Sequence, residues 1–210
     1  MKYPRTKHLP NSPGFTQDDE RLVDISHLIG KEVIYTEKLD GECTNCLTNK
    51  IHARSEESNH HPSQSWMKSF HSTFAWRIPA NIQIVGENVY AQHSILYDKL
   101  TTFFYVFAII DLDKKVFKSV DETIQMCEEF GLQYVPILYR GTFHTDFRIP
   151  TKSAFGDTIE GFVVRVVDEF SIEDSGKSMA KWVRKGHVQT DEHWKNSWKP
   201  NRLALTNPSL

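Results

Sequence analysis

The sequence is short of cysteine, of long apolar runs and of net charge, and each shortage closes off a class of protein. Three cysteines in 210 residues are an odd number, which argues against a disulfide framework and fits a reducing compartment. No apolar run approaches the roughly 18 residues a membrane helix needs, and the opening MKYPRTKHLPNSPG has no apolar signal core. A cytoplasmic protein without a membrane partner is expected. There is no internal repeat and no low-complexity segment. The net charge of −2 speaks against a chain that is basic overall. It leaves a nucleic-acid partner open, because such binding needs a local basic patch rather than a basic total.

What is present is an ordinary soluble composition, 39% hydrophobic and 25% charged, at a length that suits one domain over residues 1–210. The proline-rich start predicts an ordered arm or loop over about residues 1–20, and a short extension is expected over about 187–210. EVIYTEKL and ECTNCLTN read as strands with Asp40-Gly41 at the bend between them, and IHARS as a third strand. Trp66, Phe70, Phe74 and Arg77 stand at helical spacing after Pro62. IQIVGENVYA and TTFFYVFAIID read as strands, the second apolar enough to be central. SVDETIQMCEEFG has Ser119 and Glu122 in the capping-box relation and Gly131 as a stop, which predicts a helix. LQYVPILY, EGFVVRVV and SMAKWVR complete a strand-rich second half, and Trp194 and Trp198 predict a short helix packed back on the body. Strands interrupted by two helices, without regular alternation, predict an α+β fold of largely antiparallel sheets flanked by helices.

Five stretches place a charge inside or at the end of an apolar strand: EKLDGE, HARS, VGENVYA, FFYVFAIID, and EGFVVR followed by MAKWVRK. In this order and spacing they resemble the covalent nucleotidyltransferase superfamily, and within it the ATP-dependent RNA ligase family. The resemblance implies a nucleotidyltransferase (ATP-grasp-like) domain in which Lys38 attacks the α-phosphate of ATP and becomes a lysine–AMP adduct. It implies RNA ends as partners, and ATP with Mg2+ or Mn2+ as cofactors. Glu37, Asp40 and Gly41 flank the nucleophile as nucleotide-binding residues. Arg54 is implied to contact the adenylate or the RNA end, Glu87 the ribose hydroxyl, Phe107 the adenine face and Lys181 the α-phosphate. Glu160 is implied to support the metal, since hard oxygen donors suit Mg2+ or Mn2+.

A lysine nucleophile must be uncharged, and its ordinary pKa is about 10.4. A pocket of cations, with Arg54, Lys181 and Arg184 as candidates, is therefore expected around Lys38. The last motif departs from the family pattern. Two lysines one residue apart are usual, yet Val183 holds the second position here, leaving Arg184, Lys185 or no residue to replace it.

A DNA ligase and a capping guanylyltransferase are rival readings, as is a non-catalytic nucleotide- or RNA-binding module. The chain has little room for an additional OB domain, which counts against the first two; the oligomeric state cannot be read. Cys43-x-x-Cys46 near His60 and His61 raises a zinc site. Strand positions three apart face opposite sides, so free buried thiols are expected instead. The block SEESNHHPSQSW, with Arg5 and His8 in the arm, is either solvated or in contact with phosphates or an RNA terminus.

Overall fold

The computed structural model describes residues 1–17, 19–54, 62–148, 150–187 and 198–204. Two sheets carry the fold. The first is built from β1 (Glu32–Lys38), β8 (Ile137–Thr142), β9 (Gly161–Val166) and β11 (Met179–Val183), in the order β11-β9-β1-β8 and antiparallel throughout. The second contains β2 (Glu42–Cys46), β3 (Ile51–Ala53), β4 (Ile82–Asn88), β5 (Phe104–Asp111), β6 (Val116–Phe117) and β10 (Phe170–Ser171), in the order β10-β6-β5-β4-β2-β3. β7 (Gln133–Tyr134) adds to β5 as the parallel member. Helices α1 (Ser65–Ser72) and α2 (Val120–Phe130) are joined by the one-turn α3 (Ser175–Ser178). Largely antiparallel sheets with flanking helices agree with the sequence pattern.

Strand alternation sorts the first sheet into two faces. Val33, Tyr35, Phe162, Val164 and Ala180 pack on one side in a single apolar cluster. The register Thr36↔Val163↔Lys181 and Lys38↔Gly161↔Val183 turns the intervening residues to the other side. There the two sheets meet, with Met179 of β11 packed against Val85, Ala108 and Ile110 of the second sheet and Tyr3 of the arm between them. The outer face of the second sheet takes α1 and α2 through Met67 and Cys127, which pack with Ile84, Val106 and Ile109.

Local chemistry explains the best-defined helix. Ser119 caps α2 by accepting from Glu122 N, the Glu122 side chain answers at the Ser119 backbone, and Gly131 ends the helix in the left-handed region.

Several boundaries differ from the sequence pattern. IHARS is a strand only to Ala53, and residues 55–61 lie outside the described residues. The helix after Pro62 ends at Ser72; Phe74 stands at the N-cap of a following 3-10 turn, Ala75–Arg77, that holds Arg77. Pro136, without an N–H, divides LQYVPILY into β7 and β8. EVIYTEKL and ECTNCLTN are not a hairpin, since β1 and β2 enter different sheets. Trp194 lies outside the described residues; Trp198 tilts against Tyr90 at 5.7 Å, and the chain there is extended, bridging Ala91 through Pro200 and Leu100 through Leu203.

Candidate functional site

The switch from one sheet to the other sets Lys38 at the mouth of the inter-sheet space. Gly41 allows the crossing, because a Cβ there would collide with the Asn88 carbonyl. A cavity of about 540 Å³ opens beside it, lined by Thr36, Lys38, Gly41, Arg54, Glu87, Phe107, Val163 and Lys181 among others.

Lys38 Nζ lies 2.7 and 2.8 Å from the two carboxylate oxygens of Glu160. The pairing follows from register: Lys38 faces Gly161, and Glu160 precedes it. Gly161 is needed because a Cβ would meet the Trp182 backbone carbonyl of β11. Burial works against the Lys38 ammonium, but the attraction of Glu160, with Glu87 and Asp40, outweighs it and raises the pKa above the ordinary lysine value. Burial in turn pushes Glu160 up to about 7 and Glu87 up to about 8, each partly relieved by Lys38. Carboxylates are thus the charges paired with Lys38 and favour its protonated form, while Arg54 and Lys181 line the same cavity.

The flanking residues divide their work. Glu37 is 2% exposed, and its carboxylate accepts from the Ser153 hydroxyl and, at 2.9 Å, from Ala154 N. Burial raises its pKa. Asp40 accepts from Ser94 N at 2.7 Å and Ile95 N at 2.9 Å, so it pins a loop instead of lining the cavity. Gly41 N donates to Glu87 at 3.1 Å.

Phe107 reaches the cavity through a β-bulge. Val85 pairs with Ala108 while Gly86 pairs with Val106, leaving Phe107 as the extra residue. Its competitors for a stacking role are enclosed in apolar clusters: Phe104 is 0% and Tyr105 1% exposed, and Phe103 packs beside Tyr105. The Tyr3 ring meets Phe107 in an edge contact at 5.2 Å.

Among the expected cations, Arg54 is exposed on the cavity wall and Lys181 faces inward from β11. Lys181 Nζ is held by Asp19 at 2.9 Å, and burial lowers its pKa. Arg184 does not line the cavity; its guanidinium donates to the Gly186 carbonyl at 3.5 Å. Val183 is 1% exposed beneath the arm, its N–H bonded to Ser12 Oγ at 3.0 Å. The second position of the last motif is therefore core, and Arg184 does not turn inward to replace it.

The free thiols Cys43 and Cys46 sit at opposite parities of β2, and His60 and His61 lie outside the described residues. No group of three or more potential metal ligands occurs among the described residues. Sequence reasoning left Arg165 and the arm residues Lys2, Tyr3, Pro4 and Thr6 out of the site, yet all line the cavity. Arg165 was visible at the end of EGFVVR; of the arm, the sequence singled out Arg5, which lines the cavity as well, and His8, which does not, while the neighbours of Arg5 gave no signal because their contacts are long-range.

Residues 31–183 match the RNA ligase family, and the chain belongs to it. No curated protein matches in sequence. Among solved structures, Naegleria gruberi RNA ligase with pyrophosphate aligns at a TM-score of 0.62 and 20% identity, covering 88% of this chain and 56% of that one. A mutant of the same protein with ATP and Mn gives 0.61 and 18% over the same shares. An apo mutant gives 0.57 and 18%, over 76% of this chain and 51% of that one. These likenesses show the nucleotidyltransferase-type fold of RNA ligases, and the chain spans a little over half the length of the chains it matches.

Proposed function

We propose that this chain is an ATP-dependent RNA ligase that joins 5′-phosphate and 3′-hydroxyl RNA ends through AMP carried on Lys38. The observation that carries the reading is the grouping of Lys38, Glu87 and Phe107 around one cavity, with Glu160 paired to Lys38 behind it, in a chain of the RNA ligase family. Lys38 Nζ would attack the α-phosphorus of ATP, forming a P–N bond as the bond to the bridging oxygen breaks and pyrophosphate leaves with that electron pair. AMP would then pass to a 5′-phosphate end, and a 3′-hydroxyl would displace it.

Each neighbour has a physical task. Phe107 offers a flat face to a purine. Glu87 would accept from a ribose hydroxyl, and Lys181, with Arg54, would neutralise phosphate charge. The donor chemistry of Glu160 fits Mg2+ or Mn2+, which bind through one or two carboxylates together with substrate phosphates rather than in an all-protein cage. A divalent ion there supplies positive charge against the transferring phosphoryl group. Glu160, once its oxygens are committed to a cation, would no longer hold Lys38 as ammonium, and the attacking amine could lose its proton.

The test is incubation with ATP and a divalent metal, followed by intact mass and peptide mapping. An added AMP on Lys38, absent in Lys38→Ala, is expected. Addition of a 5′-phosphorylated RNA should discharge it. An adduct with GTP in place of ATP would move the chain to the capping class. No adduct with any nucleotide, on folded protein free of AMP, removes the enzyme reading.

A further inference from the structure

β11 carries Lys181 at the edge of the first sheet, where an uncovered strand would expose its backbone donors and acceptors. The N-terminal arm covers that edge. Lys181 N donates to the Lys7 carbonyl at 2.8 Å, Leu9 N to the Lys181 carbonyl at 2.8 Å, and Gly14 N to the Val183 carbonyl at 2.8 Å. Backbone pairing alone would protect the edge. The arm also brings a carboxylate to the cavity side.

Asp19 Oδ1 lies 2.9 Å from Lys181 Nζ, with the two side chains 19% and 17% exposed. The other oxygen of Asp19 accepts from Thr16 Oγ1 at 2.8 Å and Thr16 N at 3.3 Å, so the carboxylate has a fixed orientation. His8, 1% exposed, stands behind it. Its Nε2 is 3.3 Å from Asp19 Oδ1, off the line of a hydrogen bond, and its Nδ1 is 2.7 Å from Ser12 Oγ. Ser12 Oγ accepts from Val183 N, two residues past the lysine. The lysine and its strand are thus held from one side by a single run of arm residues.

We infer that Asp19 is a positioning residue for Lys181, which makes the arm a working part of the nucleotide site. The inference rests on the assignment of Lys181 to the phosphate under the proposed function. A lysine ammonium has three donors on a flexible four-carbon stem. One donor engaged by Asp19 aims the group and leaves two for a phosphate, so the cation is in place before the nucleotide arrives.

The test is a double-mutant cycle of Asp19→Asn and Lys181→Ala, read as the single-turnover rate of AMP transfer to Lys38 at saturating ATP. Asp19→Asn should slow the step about 10- to 100-fold, the scale of a misplaced catalytic contact. In the Lys181→Ala background it should have less than about a twofold further effect, and Asp19→Glu should restore part of the rate. Equal losses in both backgrounds, or no loss, overturn the inference. Thr16→Ala, which loosens Asp19 from the other side, should move the rate in the same direction by less, and serves if Asp19→Asn does not fold. Should the wild type form no adduct, the proposed function fails separately, and the same cycle is read as AMP affinity by calorimetry. Additive effects there, or no binding at all, also overturn the role of Asp19.

Discussion

Replacing Glu160 by glutamine should flatten the dependence of stability on pH. Glu160 is 3% exposed and its pKa is pushed up to about 7 by burial against the ordinary 4.5. A carboxyl whose pKa is raised on folding binds its proton more tightly in the native state. Stability is therefore full below about 4.5 and falls as pH rises through 7. At about 1.4 kcal/mol per pH unit, the rise from 4.5 to about 7 corresponds to about 3 kcal/mol lost between pH 5 and 8. Glu87 acts in the same direction, and loss of the Glu160 charge relieves it as well, since that charge helps raise its pKa. Histidines 8, 71 and 187 oppose the trend, because burial lowers their pKa values and costs stability as pH falls below 6.5. They are present in both proteins and cancel in the difference between wild type and variant, which reads Glu160 together with the Glu87 that it perturbs. Thermal unfolding of Glu160→Gln and wild type at pH 5 and pH 8 should show the variant gaining relative to wild type by about 3 kcal/mol at the higher pH. For a chain of this size that is about 6–12 °C. A constant difference across that range would refute the claim that Glu160 is a strained buried carboxylate rather than a comfortable partner of Lys38.

Three further outcomes are expected. Phe107→Ala should weaken AMP binding by about 1–3 kcal/mol, the range for base–aromatic stacking, with Phe107→Trp close to wild type by calorimetry. Arg184→Ala should leave AMP affinity within about twofold of wild type, because its guanidinium is turned to the Gly186 carbonyl outside the cavity. Ser119→Ala removes the cap of α2 and should cost about 1 kcal/mol, read as a fall of about 2–4 °C in Tm with no change in nucleotide affinity.

Much of the site was legible as a sequence because its chemistry is written in short segments. EKLDGE carries the lysine, the loop-pinning aspartate and the glycine of the crossing within six residues, and EGFVVR carries the carboxylate and the close-approach glycine together. Capping chemistry at Ser119 and Gly131 is equally local, and the helix it predicts is present. Phe107 could be singled out among four neighbouring aromatics only through the resemblance. The bulge that turns it to the cavity depends on how Val85 and Gly86 pair with a strand some twenty residues away.

The segments by themselves determined the longer strands and the two longer helices, the identity of the charged residues and their order along the chain. Only the tertiary structure decided which charges meet. Lys38 and Glu160 are brought to 2.7 Å by the register of β1 against β9, and Asp19 reaches Lys181 because the arm pairs with the edge of β11. Those contacts also set the direction in which each pKa of the site moves. The number of acids and bases in a motif does not set a pKa; burial and the nearest opposite charge do, and both are properties of distance in the folded chain.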